Sequence, residues 1–272
     1  MGKWDEEKII DRIKQLNKKL KRKPQKRDDG GLYIATRNFF GTWNNAMEKA
    51  GYKVKIMQKP IIPDKLTPEL SYFIGLLITD GHLVEDLKKK HYVLLLFTSY
   101  EDELKLILKL IGDLFSYKAY VRKKKDGWNK RFSYQIYINS KDLLYYFKDE
   151  IGLPTGAKSK IVRVPKIMFN TNKDNLINFV RGVMDGDGNI SLKKPVNISS
   201  GNYYFLEDLK RLFLKLNLGT SEIYKDVTAY ILRLYQKDNL EIYNLFYKEA
   251  NLCYSRKRDI LKINTFKNDY KL

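Results

Sequence analysis

Apolar positions along the first 50 residues recur at helical spacing. In "WDEEKIIDRIKQLNKKL" (4–20), Ile9, Ile10, Ile13, Leu16 and Leu20 share one face, with acids early and lysines late as the helix dipole prefers. A basic turn with Pro and Gly ("KRKPQKRDDGG") follows, and "TRNFFGTWNNAMEKAGYKV" predicts one or two short helices turning Phe39, Phe40, Trp43, Ala46 and Met47 inward. Three prolines in "QKPIIPDKLTPEL" then mark a linker. The pattern places a small helical domain at 1–54 and the linker at 55–66.

Beyond the linker the order of elements runs twice. A helix through "FIGLLITDG" (73–81) precedes "YVLLLFTS", a helix in "EDELKLILKLIGDLF", a strand pair in "YKAYVRKKKDGWNKRFSYQIYI", and a helix in "KDLLYYFKDEIG". A helix through "NLINFVRGVMDGDG" restarts the series: "NISLKKPVNIS", a helix in "YFLEDLKRLFLKLNLG", a pair in "SEIYKDVTAYILRLYQ" and a helix in "DNLEIYNLFYKEA". Asp80 and Asp187 lie 107 positions apart, so the pattern predicts an α+β fold of two αββαββα repeats, 67–165 and 166–272.

In each repeat's first helix small residues stand four apart, Gly75 with Thr79 and Gly182 with Gly186, on one face that lets another backbone approach. If these helices pack in parallel across a pseudo-twofold axis, their C-terminal ends bring Asp80 and Asp187 together. Two like charges at the negative ends of two helix dipoles, without a basic neighbour in sequence, repel one another. A divalent cation removes that repulsion, and carboxylate and carbonyl oxygens with open positions suit Mg²⁺ better than Zn²⁺. Gly81 and Gly188 are expected to take left-handed helix caps. The acids of "DGDGNI" do not form an EF-hand, because Ile190 and Val196 stand where its glycine and glutamate belong.

Composition narrows the partner. The chain has 272 residues, 43% of them hydrophobic, enough for an ordered core, and 52 Lys and Arg against 32 Asp and Glu leave a formal charge of +20 that calls for an anionic partner. No apolar run approaches the roughly 20 residues that span a bilayer and no signal peptide opens the chain, so a soluble, cytoplasmic protein is expected. A single cysteine, Cys253, and two histidines exclude a disulfide framework and a Cys/His zinc site.

Two glycine-bearing helices that end in Asp-Gly, each followed by hairpin, helix, hairpin and helix, resemble the LAGLIDADG homing endonucleases in their single-chain, two-repeat form. "FIGLLITDG" keeps the signature's glycine at the third place, the acid at the eighth and the last glycine, with Ile78 in place of its first acid; "VRGVMDGDG" retains that acid as Asp185. The resemblance covers 67 to about 262. It implies Asp80 and Asp187 as metal ligands, aided by the backbone carbonyls of Thr79 and Gly186, with Mg²⁺ as cofactor and Mn²⁺ able to substitute. It further implies hydrolysis of both strands of double-stranded DNA across a minor groove, leaving short 3′ overhangs, by a monomer acting on a long pseudo-palindromic site. Metal ions would activate water and stabilise the leaving oxygen, so no nucleophilic side chain is required.

A basic residue near each scissile phosphate is usual in that family. Lys158 and Lys257, each five positions after a leucine that follows the last helix of its repeat, are the candidates for that catalytic role. DNA reading falls to the strands, laid along the major groove. Alternation in "RFSYQIYI" sends Phe132, Tyr134, Ile136 and Ile138 to the core and Arg131, Ser133, Gln135 and Tyr137 outward. Lys118, Tyr120, Arg122 and Lys124 are expected beside them, and Ser191, Lys193, Asn197, Arg233 and Tyr235 in the second repeat. The hairpin over about 82–98 has no clean alternation to assign its faces. "RKP" (22–24) and "FGTWNNAMEKAG" (40–51) resemble a helical repeat found beside homing nucleases, which implies a DNA-binding module with Arg22, Lys26, Arg27 and Arg37 on phosphates.

Two rival functions use the same scaffold. An RNA-binding intron maturase can relax the acids, and a metal-free DNA-binding regulator has no use for them; both aspartates are present. An intein-embedded nuclease is disfavoured by the initial Met and the lack of splicing cysteines.

Overall fold

A computed structural model describes residues 4–54, 59–125, 132–192 and 194–266. The chain divides into two compact units, Met1–Gln58 and Lys59–Leu272.

The first unit is built on three helices, α1 (Glu6–Leu20), α2 (Gly30–Phe40) and α3 (Trp43–Lys49). Each begins at a side-chain cap: Asp5, Asp29 and Thr42 accept hydrogen bonds from the amides of Lys8, Leu32 and Asn45. Gly41, between α2 and α3, has φ of +71°, where a side chain would be strained. Ile9, Ile13, Leu16, Leu32, Ala35, Trp43, Ala46 and Met47 form a separate small core. Phe39 departs from the expected pattern and is exposed, while Leu32 and Ala35 fill the inner face of α2.

The second unit repeats one arrangement. The first copy is α4 (Pro68–Asp80), β1 (Gly81–Asp86), β2 (His91–Thr98), α5 (Glu101–Phe115), β3 (Tyr120–Lys125), β4 (Phe132–Asn139) and α6 (Lys141–Tyr145). The second is α7 (Lys173–Gly186), β5 (Gly188–Asn189), β6 (Asn197–Ser200), α8 (Tyr203–Lys215), β7 (Tyr224–Asp226), β8 (Ala229–Arg233) and α9 (Asn239–Phe246), followed by α10 (Ser255–Phe266). The sheets are antiparallel with matching orders, β1-β2-β4-β3 and β5-β6-β8-β7. This is the α+β fold of two αββαββα repeats. One apolar core runs through both copies.

α4 and α7 form the seam, and glycine is what lets them touch. A Cβ on Gly75 would stand 2.4 Å from the Phe179 carbonyl oxygen, and one on Gly182 would stand 2.3 Å from that of Tyr72. Further along, a Cβ on Gly186 would run into the Thr79 side chain. The small residues spaced four apart are therefore the contact line between two backbones. The bulky residues beside the glycines turn aside: Ile74 is buried, and the Arg181 guanidinium lies 5.7 Å from the centre of the Tyr72 ring and donates to the Phe246 carbonyl.

Gly81 and Gly188 do not form left-handed caps. Gly81 is extended at φ −106°, and Gly188 opens β5. Both are glycines because the chain enters its strand directly from the helix and folds against the last turn: a Cβ would stand 2.4 Å from the Leu77 carbonyl oxygen or 2.3 Å from that of Met184.

Candidate active site and DNA-facing sheets

Asp80 ends α4 and Asp187 caps the C-terminus of α7, so the seam carries both acids to one end. The Asp80 carboxylate lies against the α7 backbone, with Oδ2 3.3 Å from where a Gly186 Cβ would be. Burial, and after it the charge of Asp187, pushes the Asp80 carboxyl up to about 7. Burial also raises that of Asp187, against the pull of Lys158 and Lys257, although the residue is open to solvent on one side.

The acids do have basic neighbours, delivered from far along the chain. Lys158 Nζ donates to the carbonyls of Leu77, Ile78 and Thr79, at 3.1, 2.5 and 2.8 Å. Lys257 Nζ donates to those of Met184, Asp185, Gly186 and Gly188. An ammonium group at a helix C-terminus satisfies carbonyls that have no intrahelical partner and opposes the negative end of the dipole. Burial nonetheless lowers both lysines, Lys158 to about 8. The Thr79 and Gly186 carbonyls, the expected backbone ligands, thus already accept from an ammonium, each with one lone pair left.

Asp185 has another part. It is 1% exposed and accepts from Tyr72 Oη at 2.7 Å, Tyr247 Oη at 3.0 Å and the Tyr254 amide at 2.8 Å. Burial raises its pKa to about 6 against those bonds. It pins the segment that carries Lys257 to α7; Ile78, its counterpart in the first repeat, fills apolar core.

Several site residues stand outside the sequence prediction. Asp80 lines a cleft of about 250 Å³ with Phe97, Glu103, Ser133, Tyr254 and Arg256. The buried Glu103 accepts from Thr98 at 2.5 Å and pairs with Arg256 at 3.3 Å, and Arg256 stacks 4.4 Å from the Tyr100 ring centre. Glu103 stands among three acids in the first turn of α5, where attraction to the positive end of the helix dipole is reason enough for acids in a sequence and hides its part at the site. Arg256 adjoins Lys257 in "SRKRD", the one signal available.

Among the described residues no three His, Cys, Asp or Glu side chains gather as a metal cluster. Two carboxylates and the open side of Asp187 supply hard oxygen atoms, which fit a divalent cation that keeps several waters.

Strand register settles the sheet faces. Tyr120 lies opposite Tyr137, Arg122 opposite Gln135 and Lys124 opposite Ser133, so these six share the outer face, with Lys118 exposed just before β3. Tyr137 Oη donates to Gln135 Oε1 at 2.7 Å. Tyr134, Ile136 and Ile138 are core, but Phe132, at the start of β4 opposite Lys125, is exposed, and Lys123 Nζ sits 4.2 Å from its ring centre. The unassigned first hairpin resolves too: β2 pairs Leu95 with Tyr137 and Phe97 with Gln135, and β1 pairs His82 with Leu95, placing all three on the outer face. Arg131 and Lys193 lie outside the described residues.

In the second sheet Asn189, Asn197 and Arg233 form one outer rung, with Arg233 4.8 Å from the Tyr224 ring centre. Ser191 and Tyr235 are not on strands, since β5 ends at Asn189 and β8 at Arg233. Ser191 donates to Asn189 at 2.7 Å, and Tyr235 packs over Gly219. Asn189 is the outer residue that the expected longer hairpin concealed. In the helical unit Lys26, Arg27 and Arg37 are exposed, with Lys26 Nζ 5.9 Å from the Tyr33 ring centre. Arg22 is spoken for by a two-pronged pair with Asp28, both contacts at 2.8 Å.

Two repeats joined by a glycine-tight helix pair, with an acid at each C-terminal end and a four-stranded sheet on each side, define the LAGLIDADG class of fold. The chain belongs to that family: residues 67–152 and 174–245 match the LAGLIDADG-like domain, and residues 4–53 match the homing endonuclease associated repeat. Among solved structures it resembles the homing endonuclease I-DmoI in complex with DNA and Mn, at 20% identity and a TM-score of 0.52, over 68% of this chain and 99% of that one. I-DmoI with DNA and Ca gives a TM-score of 0.54 at 20% identity, over 73% and 99%. Curated relatives include a glutamine–fructose-6-phosphate aminotransferase of Methanocaldococcus jannaschii, 28% identical over 162 residues, and a probable translation initiation factor IF-2 of Thermococcus kodakarensis, 33% identical over 118 residues. The matches take in 58% and 42% of this chain but only 14% and 10% of those proteins.

Proposed function

We propose that the protein is a divalent-metal-dependent, site-specific DNA endonuclease that cuts both strands across a minor groove and leaves short 3′ overhangs. The observation that carries this is the convergence of Asp80 and Asp187 at one end of the seam, with the Asp80 carboxyl lifted by burial and by its partner. Bringing two acids to a shared, partly buried end costs stability unless a cation compensates. Asp80 and Asp187 would hold that cation, Mg²⁺ or Mn²⁺, which when bound supplies charge neutralisation at the phosphate and an activated water. Lys158 and Lys257 hold the two helix ends in place and bring positive charge next to the phosphates. The outer faces of both sheets would lie along the major groove, where Arg122, Gln135, Asn197 and Arg233 can address base edges. The helical unit would add phosphate contacts through Lys26, Arg27 and Arg37. We further place the protein in the cytoplasm, as a monomer that supplies both repeats itself.

The test is cleavage of a randomised double-stranded DNA library with and without Mg²⁺, using wild type, Asp80→Asn and Asp187→Asn. Discrete Mg²⁺-dependent cuts, absent from the variants, are expected. Retained cutting by both variants would refute the acid assignment. Tight binding without cutting by wild type would favour a regulator or an RNA-binding role, with RNA the next substrate.

A further inference from the structure

The outer faces of the two sheets are chemically unlike. In the first repeat the outer residues of β2 include half-buried Leu95 and exposed Phe97, flanked on β1 by Val84 and His82. On β6, the strand at the same place in the second sheet, the outer residues are Asn197 and Ser199, and the half-buried apolar residue of that face, Ile231, stands one strand away on β8 opposite Ser199. The apolar pair does not stand apart from the charged surface. Phe97, Gln135 and Arg122 form one continuous rung over three strands, and His82, Leu95, Tyr137 and Tyr120 form the next over four. Neighbouring strands lie about 4.8 Å apart, so apolar and basic side chains face the same few base pairs. Phe97 also opens onto the cleft that holds Asp80, which puts it on the side of its half-site nearest the cut.

An apolar side chain pressed onto a major-groove edge leaves base donors and acceptors unpaired, except where it meets the one apolar group on that edge, the C5-methyl of thymine. We propose that the first repeat recognises the cut-proximal part of its half-site by packing Leu95 and Phe97 on thymine methyl groups, a mode that β6 lacks. This rests on the DNA endonuclease reading above. Duplex DNA is the occupant that suits the face, because Lys118, Arg122 and Lys124 line one edge of it, two strands from the apolar strip, with positive charge. Asymmetry follows: the half read by the first repeat meets two apolar side chains on its second strand, Leu95 and Phe97, whereas the other half meets only Ile231, one strand further over.

The experiment uses the full chain and a site selected from a randomised duplex library, with Ca²⁺ replacing Mg²⁺ so that binding is read without cutting. Thymines are replaced by uracil, which removes only the methyl group, in one half-site at a time. Affinity is expected to fall about fourfold per contacted methyl, with the larger total fall in the half read by the first repeat. Phe97→Ala and Leu95→Ala should each lose the response at the thymine that side chain covers, leaving about fourfold less uracil sensitivity than wild type. A selected site with no thymine beside the cut in either half would overturn the proposal, as would unchanged affinity on uracil or wild-type uracil sensitivity kept in both variants. In each of those results the selected site is still bound, so the endonuclease reading stands. Failure to select any DNA would sink that reading and the proposal with it.

Discussion

Lys257 repeats in the second half the bonds that Lys158 makes in the first: Leu77, Ile78 and Thr79 for one, Met184, Asp185 and Gly186 for the other, each carbonyl 107 positions from its counterpart. The lysines themselves are only 99 positions apart. The repeats therefore differ in length between the acid and the lysine, yet both deliver an ammonium group to the same turn of the seam helix. Bonds from a charged donor to orphan carbonyls typically contribute about 1.5–3 kcal/mol. Replacing Lys257 with Met should lower unfolding free energy by about 2–3 kcal/mol in denaturant titrations. Lys158→Met should cost less, since Lys158 is the more exposed of the two.

The glycine contact line allows a sharper test of the seam. A methyl group on Gly75 meets backbone, not a side chain that can swing away. Gly75→Ala should force α4 and α7 apart and destabilise by about 1–3 kcal/mol, as overpacking does, with cleavage falling too because the acids at the far end move. Gly112, with nothing within 4 Å of an added Cβ, is the control: Gly112→Ala in the last turn of α5 should be neutral or stabilising.

Much of this seam was legible in the sequence, and the reasons are physical. Small residues four apart make sense only if something lies close against them, and the 107-residue offset paired the acids without any knowledge of the sheets. The lysines were found from their place five residues after a leucine that follows the last helix of each repeat, but their partners were not, because a cap that arrives 72 to 80 residues later in the chain leaves no local trace. Gly81 and Gly188 show a different limit: Asp-Gly at a helix end commonly signals a left-handed cap, and here it signals crowding instead. The first hairpin was unreadable because "YVLLLF" is apolar on both faces, with Leu94 and Leu96 in the core and Leu95 and Phe97 outside it. Arg22, expected on a phosphate, is paired with Asp28, six residues on, a partner that the sequence pattern did not single out.

Acidity should tune the metal-free protein in a direction opposite to the usual one. Asp80 and Asp185 have folded pKa values of about 7 and about 6, both raised from 3.8, so between pH 4 and 7 the folded state binds more protons than the unfolded one. Stability contributed by these groups is present in acid and is lost as pH rises through that window. Melting temperature in EDTA should fall from pH 5 to pH 7.5, and Asp80→Asn should flatten the slope. A divalent cation competes for the ionised form, so its stabilising effect should grow over the same interval.

The first sheet and the helical unit can be separated by what their exposed residues do to DNA binding. Arg122 and Gln135 sit opposite one another, where each can reach a base edge, whereas Lys26 and Arg27 belong to a helical unit expected to meet phosphates only. Arg122→Ala should cost about 1–3 kcal/mol on the selected site and relax preference at one position. Lys26→Ala should weaken binding to all sequences alike and reduce the salt dependence by about one phosphate contact. Affinities measured on matched and single-mismatch duplexes at several salt concentrations distinguish the two behaviours. A mismatch profile unchanged in Arg122→Ala would remove the first sheet from base recognition and leave it holding backbone.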